Sequence, residues 1–255
     1  MTASSLLEVQ GVTVRFSGLV ALDGVSVTIS QRETVSLIGP NGAGKTTLLN
    51  AICGLVRPTA GSVLFGGRPL GDLGLRELRA IGISRTFQHA KLLDELTVLD
   101  NVVLGAHSAR SRLSLAGECL RLPGPRRELA AIAAKAMDLL GKLSLADSAG
   151  TLAGALPFGK KKLVDLARAL ISDPSLMLVD EPTAGLNDAE VQHLGEALAK
   201  LRPHMAMLIV AHHMGFVREL ADRVFCLDGG VKISEGTAMQ VQSDPVVVQA
   251  YLGKD

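Results

Sequence analysis

Positions 39 to 47 read Gly39-Pro40-Asn41-Gly42-Ala43-Gly44-Lys45-Thr46-Thr47, which is glycine, four free positions, then Gly-Lys-Thr. That spacing is the phosphate-loop pattern, and its chemistry follows from the residue types. Glycines let the backbone wrap close to phosphate oxygens so that successive N–H groups converge on them, and the N-terminus of a following helix adds about half a positive charge. Lys45 supplies a full charge and Thr46 a hydroxyl suited to Mg2+. Gly39, Asn41, Gly42, Gly44, Lys45, Thr46 and Thr47 are therefore the expected nucleotide-binding residues. A second group ends the apolar run Leu176-Met177-Leu178-Val179, where Asp180 and Glu181 follow one another. Asp180 suits the Mg2+ hydration shell, because this small cation keeps most of its waters and takes one or two carboxylates. Glu181 suits the γ-phosphate side, as the base for an attacking water.

These groups meet only if strands carry them to one edge of a sheet. Glu33 to Ile38 is apolar and β-branched enough for a buried strand, and Thr46 to Cys53 reads as a helix stopped by Gly54. Leu6 to Phe16 and Val25 to Ile29 alternate apolar with polar residues on either side of the turn residues Asp23-Gly24, as antiparallel strands do, and Gly61 to Phe65 joins them. From Glu77 the signals turn helical. Leu92 to Ser148 holds no strand pattern, is broken by Pro123-Gly124-Pro125, and shows amphipathic helical spacing from Glu128 to Leu140. Strand and helix patterns then alternate: helix Lys161 to Ile171, strand Leu176 to Val179, helix Asp188 to Leu201, strand Met205 to Ala211, helix Met214 to Ala221, strand Arg223 to Leu227. That order predicts an α/β fold with a mainly parallel sheet, placing Asp180 and Glu181 at its C-terminal edge beside the phosphate loop.

Composition limits the partners. In 255 residues, 26 Lys and Arg stand against 25 Asp and Glu, an interspersed balance that gives no electrostatic footprint for nucleic acid or an anionic bilayer. The basic run Lys160-Lys161-Lys162 reads as a solvated helix face. No apolar run approaches the length of a membrane span and Met1 to Glu8 has no signal-peptide pattern, so a soluble intracellular protein is expected. Cys53, Cys119 and Cys226 are far apart in apolar surroundings and read as reduced core residues.

With these residues in view, the chain resembles the ATP-binding subunit of an ABC transporter over essentially its whole length. Gln88, in Arg85-Thr86-Phe87-Gln88, sits where that family has a glutamine that touches Mg2+ and links to the membrane partner. His212 sits at the family's switch histidine, which hydrogen-bonds the γ-phosphate, and Phe16 at the aromatic that stacks on adenine. Ala184-Gly185-Leu186-Asn187 matches the loop that crosses the dimer interface. The resemblance implies a P-loop NTPase (RecA-like) core with an antiparallel β subdomain over residues 1–88 and 155–255, and an inserted helical subdomain over 89–154. It implies ATP and Mg2+ as cofactors, Glu181, His212 and Gln88 as catalytic residues, and Thr46, Gln88 and Asp180 about the metal. Two cassettes would close head to tail around two ATP molecules, and transmembrane permease subunits would dock near Gln88 to Leu93. A solute-binding protein would act indirectly, no nucleic acid would take part, and the chain would sit peripherally on the cytoplasmic face of the inner membrane.

Two departures refine this. The family's usual Leu-Ser-Gly-Gly-Gln signature is here Leu156-Pro157-Phe158-Gly159-Lys160. Pro157 offers no hydroxyl to the opposite subunit's γ-phosphate, while the Gly159 amide, the helix dipole and the Lys160 charge remain, so an altered but working composite site is expected. Asn187 replaces the usual aspartate. A Pro-aromatic-Gly signature, Asn187, the run Leu96-Thr97-Val98-Leu99-Asp100-Asn101-Val102 and the ending Tyr251-Leu252-Gly253 are similar to importer ATPases for branched-chain amino acids. Import of urea or amides, a soluble ABC ATPase uncoupled from transport, and a regulatory module that holds ATP without hydrolysing it remain alternatives. A GTP switch would need an Asn-Lys-x-Asp guanine reader, which does not occur.

Overall fold

A computed structural model describes residues 5–71, 73–86, 92–106 and 123–252. Two long strands, β1 (Ser5–Phe16) and β2 (Leu19–Ser30), open the chain as an antiparallel hairpin. The turn between them is Ser17-Gly18, both at positive φ (40° and 96°), the primed geometry whose twist matches that of paired strands. Asp23-Gly24 is not the turn expected from sequence. It lies inside β2 where the register with β1 slips, and the Gly24 N–H is satisfied by Thr13 Oγ1 at 3.0 Å, so these residues form a bulge. β4 (Ala60–Phe65) pairs with the other side of β1, and the short β5 (Arg68–Pro69) follows, giving the order β2-β1-β4-β5.

The second sheet carries the chemistry. Its strands are β3 (Thr34–Ile38), β6 (Ile83–Arg85), β7 (Leu176–Asp180), β8 (Ala206–Val210), β9 (Arg223–Asp228) and β10 (Val231–Gly236), in the order β10-β9-β3-β8-β7-β6. All neighbours are parallel except β10, which runs antiparallel to β9. β3, β7 and β8 are buried at all five of their positions, as strands covered on both faces must be. Side-chain alternation divides them between two cores. Leu176, Leu178, Leu208 and Val210 face the core shared with the antiparallel sheet and with α1 (Lys45–Ile52), while Met177, Val179, Met207 and Ile209 face the other.

That other core takes in α5 (Phe158–Leu170), α6 (Asp188–Leu201) and α7 (Met214–Leu220), and continues into α3 (Val98–Gly105) and α4 (Pro123–Lys142) through Val102, Ala136 and Leu140. α3 lies so close to α5 that a Cβ on Gly105 would stand 2.2 Å from the Arg168 carbonyl oxygen. Pro123-Gly124-Pro125 does not interrupt helix here. It forms the first turn of α4, where a proline sacrifices no hydrogen bond because the first amides of a helix have no partner. α5 begins at Phe158, three residues before the expected Lys161, because Pro157 acts as its N-cap with extended backbone. Among the described residues, six short elements have no counterpart in the sequence patterns: β5, α2 (Leu75–Ala80) within a stretch of mixed helical signal, β6 after it, β10, and α8 (Ala238–Ser243) and α9 (Pro245–Leu252) after β10. Three residues are too few for a period of two to show, and α8 is announced only by its capping box, Thr237 to Gln240. Cys53 and Cys226 are buried free thiols; Cys119 lies outside the described residues.

Candidate functional site

The turn from β3 into α1 is shaped by what its glycines exclude. Gly39, at φ 148°, faces the Leu227 carbonyl oxygen so closely that a Cβ would stand 2.1 Å from it, and at Gly44, at φ 100°, a Cβ would be 2.6 Å from the Ala21 oxygen. Neither position admits a side chain. Within this turn Lys45 is buried, and its Nζ donates to the carbonyls of Gly39 at 2.8 Å and Pro40 at 2.9 Å, holding the ammonium across the loop. The Gly39 N–H donates to the hydroxyl of Tyr251 at 2.8 Å. Burial pushes the Tyr251 phenol up to about 12, so it accepts this bond as a neutral hydroxyl. The far C-terminal helix thus fastens the first residue of the loop, a contact that no local pattern announces.

Beside the loop opens a groove of about 520 Å3, lined by Phe16, Asn41, Lys45, Thr46, Thr47 and Glu181 among others. Gly42 and Gly44 line it too, whereas Gly39 does not. Phe16 ends β1 and is 46% exposed at the groove mouth, an aromatic face left uncovered by the core.

β7 and β8 deliver the second half of the site. Glu181 follows β7 with φ 45°, a left-handed backbone uncommon for a residue with a side chain, and its N–H donates to the Val210 carbonyl at 3.0 Å. Its Oε1 lies 2.8 Å from Nε2 of His212, just beyond β8. The neighbouring His213 caps α7 by accepting the Phe216 N–H at Nδ1, 3.1 Å away, which anchors the segment that carries His212. Asp180, the last residue of β7, is held by an arginine. Its buried Oδ2 takes a hydrogen bond from Arg85 Nη2 at 2.7 Å, and Arg85 Nη1 reaches Asn50 Oδ1 at 2.7 Å, so one guanidinium from β6 ties β7 to α1. Gln88 lies outside the described residues.

The lysine run is not a solvated face. Lys160 is exposed, but Lys161 pairs with Asp94 at 3.2 Å and Lys162 is buried, with Nζ donating to the carbonyls of Glu181 at 3.2 Å and Pro182 at 3.0 Å. Three successive helical positions point in three directions, which a one-dimensional charge count cannot register. At the start of α5, Phe158 is half-exposed. Gly159 is buried beneath Glu190, whose Oε1 would stand 2.4 Å from a Cβ placed there. Glu190 in turn closes a capping box with Asn187, donating its N–H to Asn187 Oδ1 at 3.0 Å while Oε2 accepts the Asn187 N–H at 3.1 Å. The side-chain oxygen of Asn187 is therefore spent on starting α6. A carboxylate over the Gly159 turn, where an anion was expected to dock, is a feature absent from the sequence reading; such an anion would repel it unless Glu190 moves.

A phosphate-type loop, an aromatic at its mouth and a glutamate bonded to a histidine share one groove, and known proteins place this arrangement. A family profile described as ABC transporter matches residues 22–184. The high-affinity branched-chain amino acid transport ATP-binding protein LivG of Salmonella typhimurium is 36% identical over 98% of this chain and 98% of its own length. Among solved structures, a nucleotide-free ATP-binding cassette from an ABC transporter superposes with a TM-score of 0.85 at 31% identity, over 98% of this chain and 100% of that one. A dimeric, post-hydrolysis ATP-binding cassette holding ADP and phosphate gives a TM-score of 0.76 at 28% identity, over 91% of this chain and 98% of that one. With the whole fold, the profile and a relative of matching length in agreement, this chain belongs to the ABC transporter family, among its ATP-binding subunits.

Proposed function

We propose that this cassette hydrolyses ATP at the groove beside the phosphate loop and that the cycle drives import of branched-chain amino acids or related small polar solutes. The observation that carries the hydrolytic reading is the 2.8 Å contact of His212 with Glu181, which lines the groove together with Lys45 and Thr46. Phe16 offers its exposed face to the adenine ring, a stacking contact of roughly 1 to 3 kcal/mol. The loop amides and Lys45 bind the phosphates. Glu181 takes the proton of the attacking water, and His212, hydrogen-bonded to it, holds the carboxylate on line and bonds the γ-phosphate. The donor set fits Mg2+: Thr46 offers a hydroxyl, Asp180 the carboxylate oxygen not engaged by Arg85, and Gln88 an amide, all hard oxygens. Among the described residues no cluster of three or more His, Cys, Asp or Glu is arranged to hold a metal. When bound, Mg2+ neutralises charge on the phosphates.

Amino-acid import is supported by the likeness to LivG over the full length of both chains. Among the described residues no helix is long and apolar enough to cross a membrane. The cassette would act from the cytoplasmic face of the inner membrane, docked on permease subunits near residues 88–93. A second cassette would close over the groove and supply its α5 N-terminus to the nucleotide. The dimeric relative supports that pairing, and the likeness to the branched-chain amino acid subfamily favours a different second subunit over a second copy.

The test is Glu181→Gln, which keeps the size and a hydrogen-bonding oxygen but cannot take a proton. Turnover should fall by about a hundredfold or more while Mg-ATP still binds. Wild-type steady-state hydrolysis in that variant would overturn the assignment of Glu181. Stimulation by vesicles bearing the permease and a binding protein loaded with leucine, but not with urea, would separate the substrate readings.

A further inference from the structure

Lys162 has no part in the scheme above, yet its surroundings are unusual. It is buried in the second turn of α5, and its ammonium faces two successive carbonyls, those of Glu181 and Pro182. On its own helix, four residues earlier, the Phe158 ring lies with its centroid 5.4 Å from Nζ. That ring also reaches the interface loop, because a Cβ on Gly185 would stand 3.1 Å from Phe158 Cε1. Two points of the loop after β7 are thus both touched by α5: Glu181 at φ 45° and Gly185 at φ 76°.

We infer that Lys162 is a positioning residue, clamping the backbone of Glu181 in its left-handed conformation so that the carboxylate meets His212, and linking that conformation to the N-terminal turn of α5. A residue that carries a side chain holds such a backbone only when its surroundings over-determine it. Here the 3.0 and 3.2 Å bonds from one ammonium do so from below, and the Glu181 N–H bond to Val210 from the side. Burial pulls the Lys162 ammonium below the usual lysine value, while the charges of Asp165 and Glu181 hold it up. Resting on the proposed function, the clamp has a consequence between the two nucleotides. The α5 N-terminus of one cassette touches the partner's ATP, whereas Glu181 acts on its own. Phe158 and Lys162, one helical turn apart on the same face, join the two places within a single rigid helix.

The experiment compares Lys162→Met and Lys162→Arg in the full-length protein assembled with its partners. Lys162→Met should lower kcat by about tenfold or more while the KM for ATP changes by less than about twofold, since the loss is confined to the chemical step. Lys162→Arg, which keeps a cation able to donate to carbonyls, should recover most of that loss. In a Glu181→Gln background, Lys162→Met should change turnover by less than about twofold, because a residue acting through Glu181 has nothing left to position. Full kcat in Lys162→Met, a loss that falls on KM, or the same fold-loss in both backgrounds would each overturn the proposal. If Lys162→Met fails to fold, Lys162→Gln, which keeps two N–H donors without the charge, is held to the same outcomes. Wild-type turnover in Glu181→Gln alone would instead refute the hydrolytic reading, and so the two failures are distinguishable.

Discussion

At the scale of single residues, the phosphate loop is held in shape by atoms remote from it in sequence. Gly39 has its N–H bonded to Tyr251 and its carbonyl to Lys45. Removing the Tyr251 hydroxyl would leave that amide without its acceptor while hardly altering packing. Tyr251→Phe should weaken ATP binding by about fivefold, equivalent to about 1 kcal/mol, the usual net worth of one such bond. Titration calorimetry measures it, and equal affinities would show the hydroxyl to be idle. The loop itself and the Asp180–Glu181 pair were legible from residue type and spacing, because each acts through its own side chain or backbone, whereas Phe16 was singled out only by the family resemblance. Arg85, Glu190 and Tyr251 were not, since their roles are contacts across 35, 31 and 212 positions or depend on which way a helix turns.

At the scale of elements, the edge of the parallel sheet is secured by one arginine. Arg223 at the start of β9 donates from Nε to Glu33 Oε1 at 2.8 Å and from Nη1 to Glu235 on β10, while Glu33 Oε2 accepts the Ser30 N–H at 2.7 Å. For Glu33, burial pushes the carboxyl up, but the bonds from Arg223 and Ser30 outweigh it and the net shift is downward. Glu235 behaves alike, with Lys232 and Arg223 overcoming burial. A carboxylate whose folded value lies below its unfolded one contributes stability that is complete above the unfolded value, about 4.3, and is lost as pH falls through the folded one. Arg223→Met should therefore lower the urea midpoint at pH 7, and its stability should decline less steeply than that of the wild type between about pH 5 and 3. Parallel declines would mean the three charges do not act together. Helix α5 shows the same dependence on assembly. Its sequence predicts a helix, but only its seating between β7, α3 and α6 decides that Lys162 faces inward and Lys160 outward.

At the scale of the whole molecule, two cores lie on opposite faces of one sheet, and the helices α3 and α4 share the second of them. Leu140 on α4 is fully buried in the same cluster as Val164 of α5 and Ile209 of β8. If the stretch 89–154 is a helical subdomain attached through that cluster, Leu140→Ala should cost about 2 to 5 kcal/mol and still give a single urea transition. Two separated transitions would show the helical part folding as its own unit. Rigid attachment is what the proposed coupling needs, because movement at a permease-docked surface reaches Glu181 only if α4, α3 and α5 move as one.

Taken alone, the sequence determined a phosphate-loop turn, a strand-end acid pair and a mainly parallel α/β fold, because phosphate-loop spacing and period-two burial are written locally. It determined the family resemblance for the same reason. Only the tertiary structure decided that Ser17-Gly18 and not Asp23-Gly24 makes the first hairpin, that Asp180 leans on Arg85, that Glu190 covers Gly159 and that Lys162 is buried beneath Glu181. Each of these depends on which distant surfaces come within a few ångströms of one another, and the free energy of such contacts belongs to pairs of residues that no local pattern brings together.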